Sequence, residues 1–101
     1  MQASNYDTDV VEPSEMRLFA VYLGGDPAPG RLTEDHEVVH VVAPDIKEAR
    51  VAARAKWAGI TGPHVDAVKL LGVVDGYRVG LRLTGEIESG EVDGTYEPEE
   101  G

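Results

Sequence analysis

The apolar positions of this chain gather into four short runs. The runs at residues 16–23 and 66–74 are apolar at nearly every position, which is typical of strands that are buried on both faces of a sheet. The run at residues 77–83 alternates between apolar and polar positions, as a strand with one exposed face does. Residues 36–43 complete the set. This pattern predicts four strands, with the first and third in the centre of the sheet.

An Asp-Gly dipeptide, Asp75-Gly76, separates the third run from the fourth. A type I′ turn requires a positive φ at both of its central residues, and Asp-Gly is one of the pairs that adopt it most readily. We therefore predict that the third and fourth strands form a hairpin with a two-residue turn.

A helix is predicted between the second and third strands. Asp45 is a suitable N-cap, and Glu48 three residues later completes the sequence signature of a capping box. The helix is expected to run from residue 46 to about residue 58 and to end at Gly59. Its apolar stripe is narrow and consists mostly of alanine, so the helix can lie close to a sheet, with Trp57 as its one large anchor.

The element order β-β-α-β-β indicates an α+β fold. We predict a single domain over residues 16–83, with one four-stranded sheet of strand order 2-1-3-4 and the helix on one face. Residues 1–15 are predicted to be an acidic flexible leader and residues 84–101 an acidic flexible tail, because both are polar and lack apolar periodicity.

The charge lies mainly in these flanks. The net charge is −10, and the flanks hold eleven acidic residues and no basic ones, whereas residues 16–83 hold nine basic and eight acidic residues. The simplest interpretation is that the flanks are solvated and keep the protein soluble. The alternative is an acidic-tail interaction protein that engages a basic partner.

Several classes of function are excluded or disfavoured by composition. The chain has no cysteine, which excludes disulfides and thiolate metal sites. No apolar run approaches the ~20 residues that span a bilayer, so we expect a cytoplasmic protein with no membrane partner. The domain lacks a basic stripe with interleaved aromatic residues, so no nucleic-acid partner is expected. No cofactor is predicted.

One end of the predicted sheet carries most of the reactive side chains. If strands 2 and 3 run the same way and strand 1 runs opposite to them, the starts of strands 2 and 3 meet the end of strand 1. The candidate ligand-binding residues at this end are His36, Glu37, His64, Asp66, Gly24 and Gly25.

Two chemistries suit these residues. Imidazoles and carboxylates bind a divalent metal, for which His36, His64 and Asp66 are the candidates, or they pair as a base and its orienting group. No metal-binding motif such as HExxH is present. The structural alternative is that His64 and Asp66 pair locally at the start of their strand. No catalytic residue is assigned.

Four segments in order carry a resemblance to a known family: residues 18–25, 36–38, 64–66 and 73–77. They resemble a bacterial family of small proteins catalogued as domain of unknown function 1543, over roughly residues 16–83. Members of this family look like one or two copies of this small unit. The resemblance implies no established activity, cofactor or catalytic residue.

The apolar pattern also bears on function. Side chains alternate along a strand, so Phe19 and Val21 cannot share a face with Leu18 and Tyr22. One helix covers one face only, which leaves a second apolar face. We therefore predict a non-enzymatic binding or self-association module that forms a homodimer through this face, with a protein partner as the other option. The alternative is a small-molecule or divalent-metal site at the His36/His64 end, with hydrolysis as one activity.

Overall fold

The computed structural model describes residues 15–26, 28–30, 32–60, 62–95 and 98. The elements are β1 (Arg17–Gly25), β2 (Asp35–Ala43), α1 (Ile46–Ala55), β3 (His64–Leu70), β4 (Val73–Val74) and β5 (Tyr77–Arg78). The protein therefore has the predicted α+β class and the predicted order of strands and helix. The predicted flexible leader lies almost wholly outside the described residues.

Three strands form the main sheet, in the order β2-β1-β3. β1 pairs antiparallel with both neighbours, so β2 and β3 run in the same direction. This confirms the predicted order for the first three strands. The prediction of a fourth strand beside β3 is wrong, because β4 and β5 pair only with each other in a separate two-stranded sheet.

The length of β1 explains why the hairpin leaves the sheet. Leu70 on β3 already pairs with Phe19, two residues after β1 begins. Only one further bond follows, from the Leu71 N–H to the Leu18 carbonyl, at 2.9 Å. Arg17 is the one residue of β1 beyond this bond, so the apolar run to residue 74 extends past the strand that it could pair with. The fourth strand is correspondingly short, ending at Arg78 rather than at residue 83.

The hairpin turn itself is as predicted. Asp75 has a φ of 54° and Gly76 a φ of 83°, the positive values that a type I′ turn requires. Val73 pairs with Arg78 and Val74 with Tyr77 across it.

The helix begins as predicted and ends three residues early. The side chain of Asp45 accepts a hydrogen bond from the Glu48 N–H at 2.8 Å, the interaction that satisfies a free donor in the first turn. The last helical residue is Ala55. Trp57 therefore lies beyond the helix, where it still packs against the core.

The core lies between the helix and one face of the sheet, here called the inner face. Its buried side chains are Phe19, Val21, Leu23, Val39, Val41, Ala43, Ala49 and Ala53. The two helical members are alanines, which allow the close approach that the sequence indicated.

The opposite face of the sheet is here called the outer face. Its apolar side chains are Leu18, Ala20 and Tyr22 on β1, Val38 and Val42 on β2, and Ala67 on β3. Within the described part of the chain, no helix or second sheet packs on this face. Tyr22 is 42% exposed, Val38 55% and Val42 46%.

The described part of the tail forms no helix or strand. Ile87 and Val92 are more than nine-tenths exposed, so these two apolar side chains do not pack on the outer face. Glu88 pairs with Lys56 Nζ at 3.2 Å, and Lys56 Nζ also donates to the His40 carbonyl of β2 at 2.7 Å. The flexibility of the tail stays a prediction, and its last residues lie outside the described ones. No helix in the described ranges is long and apolar enough to cross a membrane.

Candidate functional site

The candidate site is built around Gly24, near the end of the central strand. Gly24 pairs with His36 on β2 and with His64 on β3. Strands two places apart are separated by ~10 Å, so the imidazoles approach each other only by leaning over β1. A Cβ atom on Gly24 would lie 2.9 Å from His36 Cδ2 and 2.9 Å from His64 Nε2. The missing side chain of Gly24 is therefore what lets the two rings converge.

Two carboxylates link these imidazoles. Asp66 lies 3.2 Å from His64 Nε2 and 3.8 Å from His36 Nε2. Glu34 lies 3.5 Å from His36 Nε2 and 3.7 Å from His64 Nε2. Each carboxylate thus approaches both rings. Glu34, His36, His64 and Asp66 are together called the His cluster.

A β-bulge places Asp66 in this cluster. Tyr22 pairs with Ala67 and Leu23 with Val65, so Asp66 is the extra residue on β3. A bulge re-aims the side chain that it carries. Here it allows Asp66 and its neighbour Ala67 to lie on the same outer face, with Asp66 beside His64.

The cluster is open to solvent. The four side chains are 36–50% exposed, and Tyr22 stacks on His36 with ring centroids 5.2 Å apart and an angle of 14° between the planes. Ion pairs at this exposure contribute at most ~1 kcal/mol each. The contacts within the cluster are therefore too weak to be a major source of fold stability, and its polar atoms are accessible to a ligand.

Two predicted site residues do not join the cluster. The Glu37 carboxylate accepts a hydrogen bond from the Ala58 N–H at 2.9 Å, because neighbours along a strand point to opposite faces and Glu37 follows His36. Gly25 faces Trp57, whose Cζ2 atom would lie 3.2 Å from a Cβ atom at that position. Both residues serve the inner face. Of the six candidates, His36, His64, Asp66 and Gly24 are brought together.

Sequence reasoning missed Glu34 and Tyr22. Both could have been found from strand alternation, since Glu34 precedes His36 by two residues and Tyr22 precedes Gly24 by two. Glu34 lies just before β2, in a loop-like segment that the pattern of strands did not include.

The chemical capacity of the cluster follows from its four side chains. Protonated imidazoles pair with the carboxylates, and neutral imidazoles offer nitrogen lone pairs beside carboxylate oxygens. The local pairing of His64 with Asp66, which was the structural alternative, is present. In the ranges that the structure describes, no three histidine, aspartate or glutamate side chains are arranged as a ready metal site.

Comparison with known families shows which family this chain belongs to. The model of the family described as Domain of Unknown Function (DUF1543) matches residues 31–81, which include β2, the helix, β3 and the hairpin. The chain belongs to this family. The DUF1543 match includes all four members of the His cluster, Glu34, His36, His64 and Asp66. No protein with curated annotation matches the chain.

Among solved structures, the chain is similar to the one described as "Crystal structure of a protein Il1583 from Idiomarina loihiensis". The two are 41% identical, with a TM-score of 0.58, over 73% of this chain and 49% of the other. The chain thus spans about half the length of that protein. The DUF1543 family and this neighbour describe a fold and assign no activity.

Proposed function

We propose that the protein is a small binding module that self-associates through the outer face of its sheet and forms a homodimer with two-fold symmetry. The observation that carries this proposal is the uncovered apolar surface of Tyr22, Val38 and Val42 beside Leu18. A core of this size buries only ~60% of its chain surface. Leaving a second apolar face in water therefore forgoes stabilisation that burial against a partner would supply.

The area of the outer face determines how much free energy its burial against a partner can contribute. Three strands ~4.8 Å apart and about nine residues long present a face of roughly 400 Å². At ~25 cal/mol per Å² of apolar area, burying such a face is worth at most about 10 kcal/mol before the cost of association, because His40 and Lys69 flank Ala20 on it. A second copy of the chain provides a matching apolar surface, because a two-fold axis presents the same exposed residues on both chains.

Two valines of equal exposure test this proposal. Val38 lies on the outer face and is 55% exposed, whereas Val51 lies on the helix and is 56% exposed. We expect Val38→Asp to reduce the mass measured by light scattering to the 10.8 kDa of one chain, and Val51→Asp to leave it at two chains. A wild-type chain that is monomeric at tens of micromolar, or equal behaviour of the two variants, contradicts the proposal.

A second candidate function is the binding of a divalent transition metal by the His cluster. The convergence of two imidazoles and two carboxylates over Gly24 favours it. Ligands at ~2.0–2.1 Å from a tetrahedral zinc ion lie ~3.3 Å from one another, and the nitrogen–oxygen distances here are 3.2–3.8 Å. The donors are not preassembled, so binding requires these exposed side chains to rotate toward the ion.

Calorimetric titration with Zn²⁺ tests this candidate. We expect micromolar binding by the wild type and its loss in His36→Ala and His64→Ala. His40→Ala is the matched control, because His40 is exposed on the same face of β2 but outside the cluster. If no heat of binding is measured, or if His40→Ala abolishes it as completely, the cluster is structural.

A further inference from the structure

The hairpin and the segment after it, residues 71–84, are here called the arm. Among the helices and strands, β4 and β5 contact only each other. Val73 is 60% exposed, Tyr77 77% and Leu83 82%. A two-stranded hairpin without further packing is marginally stable in water. Only part of the arm lies beside its own chain, where Val79 and Leu81 line a cavity with Met16 and Leu70, and the exposed side chains of Val73, Tyr77 and Leu83 are left for another surface to cover.

The arm has the pattern of a strand that packs on one side. Its apolar residues alternate with polar ones from Tyr77 to Leu83, and Arg78 and Arg82 lie at the intervening positions. Among the described residues no strand pairs with residues 79–84, apart from a single bond from the Val79 N–H to the Gly72 carbonyl at 2.8 Å. This segment is thus amphipathic and extended without a sheet to join.

The outer face by itself is too small for a stable interface. A stable interface buries ~800 Å² on each partner, about twice the ~400 Å² that the three-stranded face presents. A face-to-face contact alone is therefore too small. The exposed apolar residues of the arm, among them Val73, Tyr77 and Leu83, offer further apolar surface.

We propose that the arm of one chain packs on the outer face of a second copy, and that the two copies exchange arms around a two-fold axis. This inference rests on the proposed function and specifies its partner surface. The arm begins at the edge of the sheet beside Leu18, which is an outer-face residue, since the Leu71 N–H is bonded to the Leu18 carbonyl. Its two arginines also match the carboxylates of Glu34 and Asp66, at the far end of that face.

Substitutions in the arm test this assignment without disturbing the monomer. Tyr77 and Leu83 are exposed in the single chain, so the double variant Tyr77→Asp/Leu83→Asp should fold with an unchanged far-ultraviolet circular dichroism spectrum. We expect its dimer dissociation constant, from sedimentation velocity, to rise at least ~30-fold, as losing well-buried interface anchors does. The matched control is Ile87→Asp/Val92→Asp, at residues that are more exposed and lie beyond the arm. It should dimerise like the wild type.

Mixing two defective chains shows which surface the arm contacts. Val38→Asp has an intact arm and a damaged face, and Tyr77→Asp/Leu83→Asp has the reverse. Exchange of arms predicts that the mixture regains one of two good contacts and forms a heterodimer tighter than either homodimer. A mixture that gains no affinity overturns the arm-on-face arrangement, since arm-to-arm or face-to-face contacts cannot be restored in this way.

The outcomes also separate this inference from the proposed function. If the wild type is monomeric, both are wrong. If the wild type is a dimer that Val38→Asp disrupts while the arm variant dimerises normally, the outer face is the interface and the exchange of arms is wrong.

Discussion

We predict different losses of stability when a methyl group is added at two glycines, Gly59 and Gly24. At Gly59, a Cβ atom would lie 2.5 Å from the Asp26 carbonyl oxygen and 2.7 Å from the Trp57 ring. At Gly24, it would lie 2.9 Å from the ring atoms of His36 and His64. Backbone and a packed indole cannot move aside cheaply, whereas half-exposed imidazoles can.

The cost of Gly59→Ala can be worked from these contacts. Overpacking costs ~1–3 kcal/mol. The Ile60 N–H donates to the same Asp26 carbonyl at 2.8 Å, and displacing that carbonyl loses a further ~0.5–1.5 kcal/mol. The reduced entropy of the unfolded chain returns ~0.4–1 kcal/mol. We therefore expect a loss of about 2–3 kcal/mol and a fall in melting temperature of ~10–20 °C. Gly24→Ala should stay within ~1 kcal/mol of the wild type.

Urea unfolding followed by tryptophan fluorescence is the suitable assay, because Trp57 is the only tryptophan and contacts the changed position. All variants should be compared at one protein concentration, since association adds to apparent stability. Gly90→Ala, where a Cβ atom meets nothing within 4 Å and which lies beyond the arm, is the control for an added methyl group without a clash. If Gly59→Ala unfolds at the same urea concentration as the wild type, the packing of this loop is not as described.

Three further substitutions have defined expectations. Gly76→Val should destabilise the fold by ~1–3 kcal/mol, because a β-branched residue resists a φ of 83°. An unchanged urea midpoint contradicts this. Asp45→Ala should cost ~0.5–2 kcal/mol in thermal unfolding, because it removes the acceptor of the Glu48 N–H. Asp45→Asn should keep most of this stability, since its side-chain oxygen can accept the same bond. Equal losses in the two variants would show that this hydrogen bond is not the source of the stability. Trp57→Phe should stay within ~1 kcal/mol in urea unfolding followed by circular dichroism, since the indole N–H finds no hydrogen-bond partner among the described residues. A larger loss would reveal one.

Local signals in the sequence predicted most of the main sheet. The two apolar faces of β1 placed it in the centre, Asp45 marked the helix start, and Asp75-Gly76 marked the turn. The fourth strand was misplaced because alternation specifies which side of a strand is apolar and not which strand it pairs with. The fourth strand pairs outside the main sheet because β1 begins at Arg17, and the continuous apolar run of the third strand does not reveal where β1 begins.

The sequence predicted where the candidate site lies and only some of the residues that form it. Strand direction alone brought His36 and His64 to one end of the sheet. Alternation would have excluded Glu37 and included Tyr22, so these errors were avoidable. The role of Asp66 in contacting both rings depended on a β-bulge, and the convergence of the rings depended on the absence of a side chain at Gly24. Neither is visible until the register is known.

Sedimentation equilibrium of the wild-type chain tests the central claim most directly. The account predicts a single species with twice the 10.8 kDa mass of one chain at tens of micromolar, dissociating only on strong dilution. A mass of one chain throughout this range would mean that the outer face of Tyr22, Val38 and Val42 remains in water, and it would contradict self-association as the function of this protein.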